Sequence, residues 1–392
     1  MSTHLKASHS APKQLFAQTA EQRTALARQL FFTEHTRPTG LVGEAVIHSW
    51  TRCSAALGSP CSTLAFAPVT VSRLHSALRH NHLLLESSEH EINNMEAALA
   101  RTGCRVLLTD SQGVVVHATR NPFSVGQPLL DSVSRVGVNI SEAQVGTTAP
   151  GIVTKTGVAC RVSGSEHFFE GLASFQCAAA PIRDVQGALA AVLDVSTEAR
   201  PFGFDAAALV GVYATMIENR LLQAQSREHL ILCFQADPAL LGTPMEALAG
   251  VTASGHVAWL NSVAMQLLGN PPDAQQREVD CVLNLRLPQL LQLLRAQRPQ
   301  PARLPSGLGV WMTAVLTAPD GVNFNQAVAV SVEALPVRTA VPPLAQAIPA
   351  TLGEHNRNFI ATTLAASNGN VSKAARALGI SRGTLYRKLQ EA

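Results

Sequence analysis

The chain has 392 residues, of which 46% are hydrophobic and 15% charged, and its formal net charge is +3. This length permits two or three domains, and this composition excludes an intrinsically disordered or collagen-like chain. The seven cysteines lack metal-ligand spacing, which favours free thiols over a disulfide framework. The sequence has no signal-peptide core and no apolar run of about 18 residues, so it predicts a cytoplasmic protein without a membrane segment.

The first quarter of the chain shows helical patterns. We expect a helical N-terminal element over residues 1–68. Apolar residues between Val71 and Leu99 then recur close to heptad spacing, with breaks at Asn81 and Ser88. This spacing predicts one helix that leads into a domain and pairs with its copy in a dimer.

Two strand-turn-strand patterns follow. Residues 105–119 contain a Ser-Gln-Gly turn between apolar runs, and residues 177–196 contain an Asp-Val-Gln-Gly turn between two more. Both patterns are typical of β-hairpins. The apolar periodicity of residues 205–226 predicts a helix with Asp205 as its N-cap. Strands enclosed by long helices indicate an α+β sensor domain over residues 69–226.

Three segments of this region resemble the GAF domain of the acetoin-type activators. They are IHSWTRCSAALGSP at 47–60, ISEAQVGTTAPGIVTKTG at 140–157, and the segment 162–196. In that family the GAF domain is a sensor. The resemblance therefore implies a pocket for a small-molecule effector, which we expect between the central sheet and the segments 137–152 and 160–177.

Inside the expected pocket the chain departs from the family. Ile140 stands where the family often has Trp, and Thr148 where it often has Asn, so the family's own effectors are not transferred. The hydroxyls of Thr147 and Thr148 suit a small polar organic ligand. The predicted effector-binding residues are Asn139, Ile140, Glu142, Thr147, Thr148, His167, Phe168 and Cys177.

A second sensory segment begins near residue 228. Residues 250–269 resemble the opening of a PAS domain, with Gly255 turning a strand hairpin and Asn261 starting a helix. Its closing strands are expected at 309–319 and 325–335. A Pro-rich stretch then predicts a semi-rigid linker. The predicted segments are therefore 1–68, 69–226, 228–335, 336–350 and 351–392.

The positive charge is concentrated at the C-terminus. Residues 351–392 carry six basic and two acidic side chains, whereas the rest of the chain carries 24 basic and 25 acidic ones. Counting from Val371, the small Ala375 falls fifth, Gly379 ninth and Leu385 fifteenth. A helix-turn-helix needs a small residue where its helices cross, a turn glycine and an apolar anchor. Spacing and charge together predict an all-α DNA-binding domain.

The segment GNVSKAARALGISRGTLYRKL at 369–389 resembles the C-terminal helix-turn-helix of Fis and of the NtrC-type regulators. The resemblance implies that Asn370 and Ser372 hold DNA phosphates and that Arg382 reaches a guanine. It also implies a homodimer on an inverted-repeat operator. The predicted DNA-binding residues are Asn370, Ser372, Lys373, Arg382, Thr384, Arg387 and Lys388.

Enhancer-binding regulators also carry an AAA+ ATPase, whose phosphate loop needs a GxxxxGK[ST] string. The 392 residues contain no such string. We therefore expect a one-component regulator that is not an enzyme, with no cofactor and no metal. Its expected partners are double-stranded DNA, an unknown effector, a second copy and RNA polymerase, and it should be nucleoid-associated.

Two alternatives remain open at this stage. One is a thiol-dependent redox enzyme or sensor tethered to DNA, which would use Cys160 or Cys177. The other is an architectural protein like Fis, which binds DNA without an effector.

Overall fold

A computed structural model describes residues 19–316, apart from 199, 227, 270–276 and 297, together with residue 371. These residues form two antiparallel five-stranded sheets that pack against helices. The α+β class is thus confirmed. The predicted strand at 325–335, the linker and the predicted DNA-binding residues lie outside the described residues. The predicted domain boundaries stay predictions.

The described chain begins with two helices, α1 (Ala20–Arg28) and α2 (Glu44–Leu57). Thr19 caps α1, because its hydroxyl accepts a hydrogen bond from the Gln22 amide at 3.2 Å. One face of α2 is buried in the same core as the first sheet. Its buried apolar residues are Val46, Ile47, Trp50 and Cys53.

The single helix predicted between Val71 and Leu99 is wrong, because the segment forms α3 (Val71–His80) and α4 (His82–Leu99). Asn81 ends α3 by donating from its side chain to the Ala77 carbonyl at 2.8 Å. Residues of the predicted heptad ladder pack under the first sheet, so they do not form an exposed seam. They are Ile92, Met95 and Leu99.

The first sheet has the strand order β2-β1-β5-β4-β3. Both predicted hairpins are confirmed, and Gly113 and Gly187 adopt φ of +81° and +76° in their turns, a backbone region that favours glycine. The strands are β1 (Arg105–Asp110), β2 (Val115–Ala118), β3 (Cys160–Ser163), β4 (Phe175–Arg183) and β5 (Leu189–Glu198).

Helices cover both faces of this sheet. α4 and the predicted helix, now α8 (Ala206–Gln225), pack on the outer face, and the Asp205 carboxylate accepts from the Ala208 amide at 3.1 Å as its N-cap. We call the opposite side the inner face; it carries Leu107, Ala179 and Val192. The inner face is covered by α2 and by α5 (Pro128–Val133), α6 (Glu142–Val145) and α7 (Ala149–Thr156).

The second sheet has the order β8-β7-β6-β10-β9. Its strands are β6 (Leu230–Gln235), β7 (Ala247–Val251), β8 (Val257–Leu260), β9 (Gln300–Arg303) and β10 (Gly309–Leu316). Helices α9 (Ser262–Leu268), α10 (Val279–Leu283) and α11 (Leu287–Arg295) complete this unit. The predicted strand at 309–319 is confirmed as β10, and Gly255 turns the β7–β8 hairpin at φ +87°.

Strand β6 was missed by the sequence interpretation, although it occupies the centre of the second sheet. Its sequence, LILCFQ, follows α8 closely. A short apolar run cannot be distinguished from a buried helix segment by periodicity alone. Pairing with β7 on one side and β10 on the other decides the strand.

Helix α8 connects the two sheets through buried hydrogen bonds. Glu218 accepts from the Arg183 amide at 2.9 Å with one carboxylate oxygen, and from the Ser262 amide at 2.9 Å with the other. Asn261 caps α9 as predicted, accepting from the Ala264 amide at 2.8 Å, and it also donates to the Asn219 side chain at 2.8 Å. In the described residues, no helix is long and apolar enough to cross a bilayer.

Candidate functional site

The predicted effector-binding residues lie around the inner face of the first sheet. Helix α7 packs on β4 and β5, and two short 3-10 turns, Gly164–Glu166 and Glu170–Leu172, lie between β3 and β4 in the chain. Seven of the eight predicted residues are buried; Asn139 is half-buried. The buried ones are Ile140, Glu142, Thr147, Thr148, His167, Phe168 and Cys177.

Glu142 is the centre of a polar network that joins α2 to α6. Arg52 donates to both of its carboxylate oxygens at 2.7 Å, and this hydrogen bonding raises the pKa of Arg52. Ser49 donates to Glu142 at 2.6 Å and lies 2.8 Å from the Thr147 hydroxyl. Because these groups bind one another, their geometry holds α2 against the sensor.

Three more of the predicted residues also have structural roles. The Thr148 hydroxyl accepts from the Gly151 amide at 3.1 Å and so caps α7. The Asn139 side chain accepts from the Ser141 amide at 2.9 Å. Phe168 is fully buried, and its ring packs edge-on to Phe169 with 5.1 Å between centroids.

His167 and Cys177 form a buried pair, with 3.3 Å between His167 Nε2 and Cys177 Sγ. His167 Nδ1 lies 2.8 Å from the Gly164 carbonyl, so the neutral ring carries its proton on Nδ1 and Nε2 can accept from the thiol. The Ala149 amide donates to Cys177 Sγ at 3.2 Å. Burial lowers the pKa of His167 to about 4 and raises the pKa of Cys177. The pair is therefore neutral.

Cys160 is no better a nucleophile than Cys177. Burial and, to a smaller extent, the nearby Asp194 carboxyl raise the pKa of Cys160 to about 12. Thiol redox chemistry needs a thiolate, which low-pKa and accessible cysteines supply. The raised pKa values of both thiols therefore favour a structural role over a redox role.

Arg28 and Trp50 hold the segment that contains the two 3-10 turns, and sequence reasoning missed both. Arg28 donates from Nη1 to the His167 carbonyl at 2.8 Å, and its guanidinium lies 4.8 Å from the centroid of the Phe32 ring. Trp50 donates from Nε1 to the Glu166 carbonyl at 2.8 Å. Trp50 falls within the quoted segment 47–60, but no sequence signal indicated its partner.

Asp194 and Thr109 were also missed, and both lie on the inner face. Asp194, 1% exposed on the central strand β5, accepts from Ser196 Oγ at 2.7 Å with Oδ2. Among the described residues, its Oδ1 and the Thr109 hydroxyl have no hydrogen-bond partner. Burial raises the pKa of Asp194 to about 7. A polar residue at an inward position of an apolar strand was the available signal.

The seven predicted DNA-binding residues lie outside the described residues, so their contacts stay predictions. In the part of the chain that the structure describes, no group of three or more His, Cys, Asp or Glu could hold a metal ion.

Two protein families match this sequence. Residues 19–216, just over half of the chain, match the MimR N-terminal domain family. The chain belongs to this family. The MimR N-terminal match includes α1 and α2 as well as the first sheet, in agreement with their common core. Residues 351–391 match the bacterial regulatory proteins of the Fis family, as the helix-turn-helix resemblance predicted.

Relatives of this MimR-type chain are regulators by name. The acetoin catabolism regulatory protein of Cupriavidus necator is 27% identical over 263 residues, which are 63% of this chain and 38% of that protein. The acetoin dehydrogenase operon transcriptional activator AcoR of Bacillus subtilis is 26% identical over 186 residues, 47% of this chain and 30% of that protein. The chain thus spans less than half the length of these relatives. This bears out the predicted resemblance to the acetoin-type activators.

A solved structure is also similar. It is a chain of the crystal structure of the E. coli DhaR(N)-DhaL complex, with a TM-score of 0.44 and 15% identity, covering 70% of this chain and all of that one.

Proposed function

We propose that the chain is a DNA-binding transcriptional regulator whose N-terminal sensor controls a C-terminal helix-turn-helix. The observation that carries this proposal is the Fis-family match at residues 351–391. The excess of basic residues in the same segment supports it, because phosphate neutralisation supplies much of the affinity for DNA. The relatives named as regulators of catabolic operons support it as well.

The proposed DNA contacts are those that the Fis resemblance implies. Phosphates would be held from the start of the second helix, and bases would be read by Arg382 in the major groove. A homodimer would place two such helices on an inverted repeat. RNA polymerase is the proposed downstream partner. The full set of proposed contacts is Asn370, Ser372, Lys373, Arg382, Thr384, Arg387 and Lys388.

The proposed effector is a small polar organic molecule that binds at the inner face of the first sheet. The names of the relatives refer to acetoin, so acetoin is the first effector to test. The eight predicted residues surround this face, and shifts of α2 would be transmitted through the Glu142 network. We propose the cytoplasm, in association with the nucleoid, as its place of action.

We propose no catalytic role for the chain. The observation against a redox enzyme is that burial raises the pKa values of Cys160 and Cys177, so neither is an activated thiolate at neutral pH. An architectural protein would bind many unrelated DNA sequences and would not respond to an effector, whereas a regulator would do the opposite in both respects.

The test is selection of DNA by the full chain from a random-sequence pool, followed by binding measurements with and without acetoin. A regulator should enrich one inverted repeat, bind it at least about a thousandfold more tightly than random DNA, and change its occupancy with effector. Enrichment of many unrelated sequences with no effector dependence would establish the architectural alternative. No DNA binding at all would refute the proposal.

A further inference from the structure

Two polar groups on the inner face of the first sheet have unused hydrogen-bonding capacity. Thr109 is 0% exposed and Asp194 is 1% exposed. Within the described residues, Thr109 Oγ1 and Asp194 Oδ1 each lack a partner. Buried polar groups in folded proteins nearly always have partners, since burying one without a partner costs free energy. Two exceptions on one face call for a functional explanation.

The strand register places these groups close together. Leu107 pairs with Asp194 and Thr109 pairs with Val192 in the antiparallel β1–β5 ladder, so Thr109 and Asp194 are diagonal neighbours on one face. Diagonal side chains of this kind lie about 7–8 Å apart, a span that one small molecule can bridge. On the other side of Asp194 the β4 residue is Ala179, which leaves its carboxyl unobstructed by a large neighbour.

The predicted effector-binding residues have less unused hydrogen-bonding capacity than Thr109 and Asp194. Both oxygens of Glu142, the hydroxyls of Thr147 and Thr148, and both ring nitrogens of His167 already contact protein atoms. A ligand would have to share these atoms with their protein partners or displace those partners. Thr109 and Asp194 have free capacity without such a loss.

We infer that Thr109 and Asp194 are the effector-recognition groups of the sensor, and that they bind a small uncharged molecule through its hydroxyl or carbonyl oxygen. This inference rests on the proposed sensor function. The core against the inner face also contains many apolar side chains, among them Leu107, Val115, Val138, Ile140 and Ile152. Two polar groups beside such apolar side chains would orient a short-chain alcohol, ketone or diol.

The charge state of the surroundings supports an uncharged ligand. With its pKa near 7, Asp194 is substantially protonated at neutral pH and can donate a hydrogen bond to a carbonyl or accept one from a hydroxyl. His167, which contacts Cys177, is also neutral, since burial lowers its pKa to about 4. An anionic ligand would therefore lose its hydration without gaining a cationic partner from Thr109, Asp194 or His167.

The first experiment needs no ligand and compares thermal unfolding of full chains. Thr109→Val removes an unpartnered hydroxyl, so it should raise Tm by about 2–4 °C. The matched control is Thr119→Val, because the Thr119 hydroxyl is buried beside the same sheet but accepts from the Val106 amide at 3.0 Å. The control should lower Tm by a similar amount. Equal destabilisation by both changes would show that Thr109 has a structural partner and would overturn the inference.

The second experiment measures binding of defined probes by calorimetry. The probes are 2-butanol, 2-butanone and 2,3-butanediol, with butyrate and n-butylammonium as charged controls of the same length. At least one uncharged probe should bind, and Thr109→Val and Asp194→Val should each weaken it about tenfold, with Thr119→Val unchanged. Three outcomes would overturn the inference: a preference for butylammonium, unaltered affinity in both variants, or no binding of any uncharged probe. In the last case the partner of the two groups would be bound water.

Failure of this inference can be distinguished from failure of the proposed function. If the chain binds its operator and responds to effector while Thr109→Val and Asp194→Val respond like the wild type, the recognition groups lie elsewhere and the regulator stands. If the probes bind through both residues but the chain selects no DNA, the inference stands and the regulator fails.

Discussion

At the residue scale, the sensor combines satisfied and unsatisfied buried polar groups in one core. Glu142 accepts hydrogen bonds from Arg52 and Ser49, whereas one carboxylate oxygen of Asp194 has no partner among the residues that the structure describes. The first arrangement stabilises the fold, and the second makes folding less favourable in exchange for a binding function. The titration of Asp194 makes this difference measurable.

Asp194→Asn should change how stability depends on pH. Burial raises the folded-state pKa of Asp194 to about 7, whereas an unfolded Asp titrates near about 3.9. As pH rises from about 4 to about 7, the unfolded state therefore loses its proton first, and the wild type loses free energy of unfolding. The variant should lack this loss, so its advantage should grow across that interval and level off above it.

Urea unfolding between pH 4.5 and 8.5 measures this effect. Asp110→Asn is the matched control, because Asp110 Oδ1 is bonded by the Gln112 and Val114 amides at 2.9 Å. Parallel stability curves for wild type and Asp194→Asn would contradict the raised pKa.

The DNA contacts give a second residue-scale prediction. Arg382→Ala should weaken specific binding by about 1–3 kcal/mol and relax base preference at one position. Lys388→Ala should weaken binding to all sequences equally and lower the salt slope by about one. Fluorescence anisotropy on operator and random DNA at several salt concentrations measures both. Equal losses on the two DNAs for Arg382→Ala would refute direct base readout.

At the element scale, a substitution at a helix cap or at a close contact between strands changes stability as well as any function of the residue. Thr148→Val removes the N-cap of α7 and should cost about 1 kcal/mol of stability. A lost effector response in that variant would therefore not isolate ligand recognition. In the second sheet Gly250 of β7 pairs with Trp259 of β8, and the Trp259 side chain lies close against Gly250.

Gly250→Ala should destabilise the second sheet. A Cβ at this position would lie 2.1 Å from Trp259 Nε1, and overpacking of this kind costs about 1–3 kcal/mol or more. Gly211→Ala in α8 is the control, since nothing lies within 4 Å of its Cβ, and it should add about 0.5–1 kcal/mol. Chemical denaturation measures both, and the Gly250→Ala/Trp259→Leu double variant should recover part of the loss. Equal effects of the two glycine changes would rule out the contact.

At the scale of the whole molecule, charge and sensing are separated along the chain. The basic excess lies in residues 351–392, while the two described sheets are joined through α8 by Glu218 and Asn219. A signal at the first sheet can thus reach the second through one helix. For the effector to change DNA binding, it must bind one conformation of the chain more tightly than another.

The absence of a phosphate-loop string from the 392 residues gives a whole-molecule prediction. The purified chain should hydrolyse no ATP above background, with or without operator DNA, because no GxxxxGK[ST] segment cradles phosphates. Phosphate release across a purification series measures this, with a buffer fraction as the control. Turnover that follows the protein peak through every step would contradict it.

Local signals in the sequence determined much of this protein. The hairpins around Gly113 and Gly187, the caps at Asp205 and Asn261, and the Fis-type spacing all depend on neighbours within a few residues, and the structure confirmed all but the last. The Fis-type segment was confirmed by its family match. Turn and cap chemistry is local, so one sequence suffices to show it.

Tertiary structure alone decided the rest, because those features depend on contacts distant in sequence. LILCFQ became the central strand β6 through pairing on both edges, and Ile92, Met95 and Leu99 packed under the first sheet. Trp50 and Arg52 have partners 116 and 90 residues away, at Glu166 and Glu142. The free capacity of Thr109 and Asp194 became visible only after every neighbour was in place, since hydrogen-bond satisfaction is a property of the folded chain.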